Sequence, residues 1–151
     1  MKVFFLFFSL LLLSACAEFK SPEILSFDGV TDFSLEERSV FLTLNAQVKN
    51  PNNKTLKVHS VTAEIGVKNR ILGQLKTLQK IRLKKKEDVT IALPIEIEIE
   101  KGAMLQIGML ALRDSANFVF KGNVIGGWGP FKKSVPFKVE EKLPTKSLIR
   151  P

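Results

Sequence analysis

The chain has 151 residues, 45% of them hydrophobic, and carries 23 basic against 15 acidic side chains, a formal charge of +8. One cysteine and one histidine exclude an internal disulfide framework, a thiol-based metal site and a dithiol redox pair. The length suits a single ordinary domain, and the positive charge favours anionic partners.

The first residues have the composition of an export signal. Lys2 supplies a positive charge, an apolar run follows over residues 3–13, and the small residues Ser14 and Ala15 suit a signal peptidase. As a helix the run would reach only about 17 Å, against roughly 30 Å for the hydrocarbon layer of a bilayer. We therefore predict a removable signal peptide over residues 1–15.

Leu13-Ser14-Ala15-Cys16 resembles the lipobox of bacterial lipoproteins. In that family the cysteine sulfur is joined to diacylglycerol, the chain is cut before the cysteine, and the new amino group is acylated. The resemblance implies that Cys16 is a lipid anchor, with residues 16–23 as a lipidated tether. Two or three acyl chains would hold the protein stably in a membrane. Ala17 is not the aspartate that retains many enterobacterial lipoproteins at the inner membrane, which favours the outer membrane.

Alternation of apolar and polar residues dominates the rest of the chain and predicts half-buried strands. A first strand over residues 42–48 ends at Asn50-Pro51-Asn52-Asn53, a cluster of turn-forming residues. The clearest strand covers residues 89–99, with Glu96, Glu98 and Glu100 on the polar side. Later strands begin near Phe118 and end near Val139.

Two irregularities can also be placed. The apolar side changes parity between Val58 and Val61, which predicts a β-bulge near His59 and Ser60. Lys68-Asn69 predicts a hairpin turn, because asparagine tolerates left-handed backbone geometry. We further predict that residues 79–83 pair with residues 89–93, with Ile81 opposite Ile91 and Leu83 opposite Val89.

One segment has helical spacing instead. Residues 103–112 place apolar side chains at intervals of three and four, which predicts a short helix packed on one end of the sheets. We expect Met104, Ile107, Met109 and Leu112 to cover either a packed core or a ligand cavity. Residues 140–151 have charges and prolines but no period, which predicts a mostly disordered tail.

About seven strands and one helix predict a mainly β fold, an antiparallel β-sandwich over residues 24–139. The stretch from Gln47 to Gly73, QVKNPNNKTLKVHSVTAEIGVKNRILG, resembles the corresponding part of type-2 late embryogenesis abundant domains, also called water stress and hypersensitive response domains. DVTIALPIEIEI and the segment ending in VPFKV are similar to later strands of that family. The resemblance implies an immunoglobulin-like or fibronectin-III-like sandwich and a role in desiccation or envelope stress, without an active site to carry over.

The sequence offers little for catalysis. His59 has no cysteine or second histidine with which to share a metal ion, and nucleophile motifs of hydrolases are absent from the sequence. The glutamates of residues 96–100 have the spacing of any solvated strand face, although glycoside hydrolysis also needs two carboxylates. Trp128 is expected to cap one end of the core. We therefore expect no enzyme activity, no cofactor and no metal site.

Lys80, Arg82 and Lys84 share one parity in a basic stretch, so they should line the outer face of a strand. One interpretation is an edge strand that lysines protect from aggregation. The other is contact with anionic lipid headgroups or glycans. Nucleic acid is not expected as a partner of an exported chain.

These observations favour a lipid-anchored, non-enzymatic lipoprotein of the bacterial cell envelope that acts in binding or stress protection. The alternative is a carrier that shelters a lipid or another small apolar ligand between its sheets. In that case an apolar pocket should lie beneath the predicted helix.

Overall fold

The computed structural model describes residues 20–145, so the predicted signal peptide, Cys16 and residues 146–151 lie outside the described residues. The elements follow one another along the chain as β1 (Glu23–Glu36), β2 (Ser39–Lys49), β3 (Leu56–Val67), β4 (Arg70–Thr77), β5 (Ile81–Leu83), β6 (Asp88–Ile99), α1 (Ala103–Ala111), β7 (Ser115–Trp128) and β8 (Phe131–Pro144). Within the described residues no helix is both long and apolar enough to cross a membrane.

The strands form one antiparallel hydrogen-bonded sheet in the order β1-β2-β6-β4-β3-β7-β8, and β5 pairs with the start of β3. The sheet folds over on itself, because Val40 of β2 packs into the same cluster as Phe120 of β7 and Leu143 of β8. These strands are far apart in the strand order, so they can meet only across two layers. The predicted mainly β sandwich with one short helix is confirmed.

The strand β1 is an additional element that the sequence analysis did not predict. Its pairing with β2 shifts register at three places, between Ile24 and Ser26, Phe27 and Gly29, and Thr31 and Ser34. Apolar residues do recur at odd-numbered positions of β1, but in the structure these side chains are exposed: Leu25, Phe27, Phe33 and Leu35.

Two apolar clusters fill the sandwich, one at each end. The helix end contains Ile65, Val67, Leu72, Ile99, Ala103, Ala116 and Phe118. The other end, here called the asparagine end, contains Val48, Leu56 and Leu83, with Ala46, Ile81, Val89, Ile91 and Trp128 packed against them. The predicted role of Trp128 at one end of the core is confirmed.

The helix α1 lies where residues 103–112 predict it, but it turns a different side to the core. Ala103 is buried, with 1% of its surface exposed, and Ile107 and Leu110 pack on the same cluster. These positions are four and three residues apart, and that spacing defines the inward side of the helix. Three other side chains of this segment were expected to cover a core or a cavity. That expectation is wrong, because all three are exposed: Met104, Met109 and Leu112.

The predicted bulge and hairpin turn are both confirmed. The pairing of β3 with β7 shifts register between Val58 and Ser60. Val67 lies opposite Arg70 across the turn at Lys68-Asn69, and it is Lys68 that takes the positive φ, at 55°.

The predicted pairing of residues 79–83 with residues 89–93 is wrong. The same register holds for β4 and β6, where Lys76 lies opposite Glu96, but β5 pairs with β3 instead. The Leu78 amide donates to the Pro94 carbonyl at 2.9 Å, and Pro94 has no N–H to return that bond. The ladder therefore ends there. The four core-facing residues are still as predicted, because Ile81, Leu83, Val89 and Ile91 lie in one cluster.

The predicted disorder of residues 140–151 is wrong for residues 140–145. The strand β8 continues to Pro144, pairs with the start of β7, and places Leu143 against the helix-end cluster. Thr145 is buried, its amide donates to the Asp114 carbonyl at 3.1 Å, and its hydroxyl donates to the Arg113 carbonyl. Pairing with β7 orders this segment although its own sequence has no clear period.

Candidate anion-binding surface

A fully buried asparagine organises one end of the sandwich. Asn50 has 0% of its surface exposed, and its Nδ2 donates to the carbonyl oxygens of Lys54, Leu83 and Lys84 at 2.9, 3.1 and 3.0 Å. Its backbone amide donates to the Glu87 carbonyl at 3.0 Å. A buried side-chain amide is stable only when its donors and acceptors are used. Asn50 therefore fixes the loop after β2 to the lysine-rich turn between β5 and β6.

Asn52 joins the start of the described chain to that same turn. Its Oδ1 accepts from the Lys20 amide at 2.9 Å, and its Nδ2 donates to the Lys20 carbonyl at 2.6 Å. Its own carbonyl accepts from the Lys86 amide at 3.1 Å. The chain thus enters the domain beside the lysine-rich turn, at the asparagine end.

Strand pairing lines up cations from three strands on the outer face of this end. Lys57 of β3 lies opposite Arg82 of β5 on one side and opposite Gly127 of β7 on the other, and Gly127 lies opposite Lys132 of β8. We call Lys57, Arg82 and Lys132 the basic row. Within residues 20–145 none of the three takes part in a salt bridge. Like charges placed directly opposite each other cost stability, so the fold alone does not account for this arrangement.

His59 lies beside the basic row, and the charges of the row affect the pKa of its ring. Partial burial of the ring, then the nearby charges of Lys132, Lys80 and Lys57, hold the pKa of His59 below its usual 6.5. Neighbouring cations oppose the addition of another positive charge. Lys80 therefore lies close enough to His59 to act on the same ring as Lys57 and Lys132 of the basic row.

Gly127 lets β8 come close at the centre of the row. A Cβ at this position would lie 1.9 Å from the Phe131 carbonyl oxygen, a backbone atom that cannot move aside easily. The glycine is therefore required for the tight turn from β7 into β8 that carries Lys132 into the row.

Most of this architecture matches a known protein family. The family model described as late embryogenesis abundant protein matches residues 45–141, more than half of the chain. The chain belongs to this family. No curated protein matches it.

Solved structures are similar to this late embryogenesis abundant chain in fold. A protein from Archaeoglobus fulgidus aligns with a TM-score of 0.54 at 12% identity, over 80% of this chain and 98% of that one. A protein from Arabidopsis thaliana aligns with a TM-score of 0.50 at 12% identity, over 87% of this chain and 88% of that one. At this identity the likeness concerns the fold alone.

The structure separates the three cations that sequence analysis grouped. Arg82 lies in the basic row and Lys80 lies near His59, but Lys84 lies past the end of β5 and forms a 3.8 Å ion pair with Glu87. Lys57 and Lys132 were missed, because only the pairing of β3, β5, β7 and β8 brings them beside Arg82. No local signal in the sequence reveals that juxtaposition.

Aromatic residues accompany the cations at the asparagine end of this late embryogenesis abundant domain. The Lys54 Nζ lies 5.3 Å from the ring centroid of Trp128, a distance typical of cation–π contact. Phe131 lies opposite Trp128 across the β7–β8 turn and is 68% exposed. An exposed ring among lysines is a combination found at membrane surfaces.

Glu96 of β6 is held by two partners on neighbouring strands. Glu96 accepts from the Lys76 Nζ at 2.9 Å and from the Ser39 Oγ at 3.1 Å. The hydrogen bond from Lys76 lowers the pKa of Glu96 below its usual 4.5, with a further contribution from Ser39. A general acid for glycoside hydrolysis needs the opposite shift.

The described residues hold no cluster of three or more potential metal-ligating side chains.

An open groove of about 560 Å³ runs over β3, β4, β7 and β8 and includes Glu64, Gln74, Lys121 and Lys138 in its lining. It does not touch α1. The inner side of α1 is instead filled by Ala103, Ile107 and Leu110, so this packing gives the carrier hypothesis no support.

Proposed function

We propose that this chain is a lipid-anchored, non-enzymatic protein of the bacterial cell envelope. Its late embryogenesis abundant domain would act in binding or in protection against desiccation or envelope stress. The observation that carries the proposal is the sequence Leu13-Ser14-Ala15-Cys16 at the end of a short apolar signal. The thiol of Cys16 is the only one in the chain, so it alone can form the thioether to diacylglycerol.

The position of the domain start supports this proposal. Cys16 precedes Lys20 by four positions, and an extended chain spans at most about 3.6 Å per residue. An anchored cysteine would therefore keep Lys20 within about 14 Å of the lipid-bearing residue. Because Asn52 holds Lys20, the asparagine end would face the membrane.

The absence of an aspartate after Cys16 favours the outer membrane as the destination. Ala17 occupies that position. The lack of an enzymatic role is proposed because the sequence has one histidine, one cysteine and no nucleophile motif of hydrolases. The lowered pKa of Glu96, caused first by the hydrogen bond from Lys76, is also the opposite of what a general acid needs.

The test is the Cys16→Ser variant, followed by palmitate labelling and cell fractionation. The parent protein is expected to carry label and to sediment with membranes. The variant is expected to lose the label and leave the membrane fraction. Retention of both properties in the variant would refute the lipid anchor, and an Ala17→Ser variant serves as the matched control.

A further inference from the structure

We propose that the asparagine end is a second membrane contact, in which the basic row and Phe131 lie on a bilayer of anionic phospholipid. This inference rests on the proposed lipid anchor, since the anchor brings that end to the bilayer. The domain would then lie in a fixed orientation on the membrane instead of moving freely on its tether.

The first support is charge that the fold leaves uncompensated. Lys57 and Arg82 face each other directly, and Lys132 continues the row on the next strand but one. Among the cations of residues 20–145 only Lys76, Lys84 and Lys138 form ion pairs, so the row is distinguished by like charges placed side by side and not by the lack of carboxylate partners. An anionic membrane surface would supply the basic row with the compensating negative charge that glutamates supply to those lysines.

The second support is position. Asn52 contacts Lys20 and Lys86 through its side chain and its carbonyl, so the entry of the chain and the lysine-rich turn are held side by side. Electrostatic attraction to a membrane acts over about 8 Å at physiological salt. A short tether that starts at this end can hold the cations within that distance, whereas the helix end lies at the opposite end of the sandwich.

The third support is the exposed ring of Phe131, which favours lipid over a glycan. Phe131 follows Gly129 and Pro130 at the tip of the β7–β8 turn and is 68% exposed. Its ring and the Lys132 side chain lie on opposite faces of β8, so the ring can reach a bilayer together with the basic row only because both lie at the tip of this end. Apolar rings flanked by lysines enter the boundary between headgroups and acyl chains. Trp128, the larger ring and the better platform for a sugar, is packed on the core beneath Lys54.

The test uses the full protein, purified with its lipid and reconstituted on vesicles of pure phosphatidylglycerol or pure phosphatidylcholine. If Cys16 is acylated, Ser134→Cys introduces the only free thiol, two residues from Lys132 on the same exposed side of β8. A fluorophore there is read against bilayer-embedded nitroxide lipid. Arg113→Cys, directly after α1, carries the same fluorophore at the helix end.

We expect quenching of the Ser134 label on phosphatidylglycerol, little quenching on phosphatidylcholine, and none for the Arg113 label on either. The triple variant Lys57→Gln, Arg82→Gln, Lys132→Gln should reduce the quenching to the phosphatidylcholine level. Each cation near an anionic surface contributes about a fivefold factor, so three together contribute a factor on the order of 100. The matched control is Arg70→Gln, Lys101→Gln, Lys142→Gln, which removes the same charge from the helix end.

Failure of this inference can be distinguished from failure of the anchor by vesicle flotation. A lipid-anchored protein floats with both kinds of vesicle, and equal Ser134 quenching on both, or none on either, would then overturn the inference. A protein without the anchor that floats only with phosphatidylglycerol would support the contact and refute the anchor. One that floats with neither would overturn both.

His59 gives a second readout that needs no vesicle. Its ring is the only imidazole in the chain, so its pKa can be followed by NMR during titration with dihexanoyl phosphatidylglycerol below micellar concentration. Binding of an anion beside Lys57 and Lys132 should raise that pKa, and the triple variant should show no further rise. A rise with a soluble anionic polysaccharide, combined with no Ser134 quenching on vesicles, would overturn the lipid assignment in favour of a glycan.

Discussion

The two ends of the sandwich are closed in different ways. At the helix end the apolar side chains of Ala103, Ile107 and Leu110 cover the core. At the asparagine end the buried amide of Asn50 joins a loop to a turn through hydrogen bonds to backbone carbonyls. The comparison shows that one end is built for apolar packing, while the other fixes polar backbone in place and carries charge on its surface.

This difference explains why the candidate surface lies at one end only. The basic row lies on strands, and the hydrogen bonds from Asn50 to the Leu83 and Lys84 carbonyls fix the end of β5, which carries Arg82, at this end. A packed helix contributes to stability through buried area, and its exposed side chains need no partner of defined charge. The two ends should therefore respond differently to substitution, pH and salt.

The largest effect is expected at Asn50. Asn50→Leu leaves the carbonyls of Lys54, Leu83 and Lys84 without their donor, and each unsatisfied buried group costs about 1–3 kcal/mol. Partial access of water should limit the total loss in the free energy of unfolding to about 3–4 kcal/mol. Urea denaturation measures it, with the exposed Asn53→Ala as control. A loss below about 1 kcal/mol would show that Asn50 does not organise this end.

A smaller loss is expected at the helix end. Ala103→Leu forces a larger side chain into a position that is 1% exposed, and overpacking of this kind costs about 1–3 kcal/mol. The matched control is Leu105→Ala on the exposed side of α1, which should change the free energy of unfolding by less than about 0.5 kcal/mol.

The same variants address the carrier hypothesis. A close-packed helix end should take up no fluorescent fatty acid, either in the parent protein or in Ala103→Leu. Saturable uptake by the parent protein that Ile107→Trp abolishes, with the fold unchanged, would favour the carrier over the packed core.

A further prediction concerns the dependence of stability on pH, through Glu96. The pKa of Glu96 is lowered in the folded protein by Lys76 and Ser39, so its contribution to stability is present above the usual 4.5 and is lost as the pH falls through the lower folded value. Glu96→Gln should therefore destabilise the protein near neutral pH and flatten the decline in stability between about pH 5 and pH 3. Urea midpoints across that range test it, and a decline of unchanged slope would contradict the assignment.

The smallest expected effect is a gain in stability at the basic row. Lys57→Gln removes the repulsion from Arg82, so the free energy of unfolding should rise by roughly 0.2–0.5 kcal/mol at low salt and by less at high salt. Lys142→Gln at the helix end is the control. Destabilisation by Lys57→Gln at low salt would mean that the basic row is not a repulsive arrangement.

The sequence carried enough local signal to place most of the fold. The parity change between Val58 and Val61 predicted the bulge, and apolar spacing predicted α1. The local pattern did not predict strand pairing that depends on contacts between residues far apart in the sequence. Pro94 ends the β4–β6 ladder, and β5 then pairs with β3. The strand β1 was missed although apolar residues alternate in it, and pairing with β7 orders the end of β8.

The candidate surface was predictable only in part for the same reason. Lys80 and Arg82 stand out as a local run of cations, and the structure keeps both at the asparagine end. Lys57 and Lys132 are isolated in sequence from that run, and their roles depend on the register of four strands. Buried Asn50 was visible only as a turn residue, because two of the carbonyls that accept from its side chain, those of Leu83 and Lys84, lie more than thirty positions away.

The most direct test of the central claim is mass spectrometry of the protein extracted from bacterial membranes with detergent. The account predicts a mature chain that begins at Cys16, with a mass increase equal to a diacylglycerol thioether plus an amide-linked acyl group. Fragmentation should place both modifications on that residue. An unmodified Cys16, or a chain that retains residues 1–15, would contradict the account.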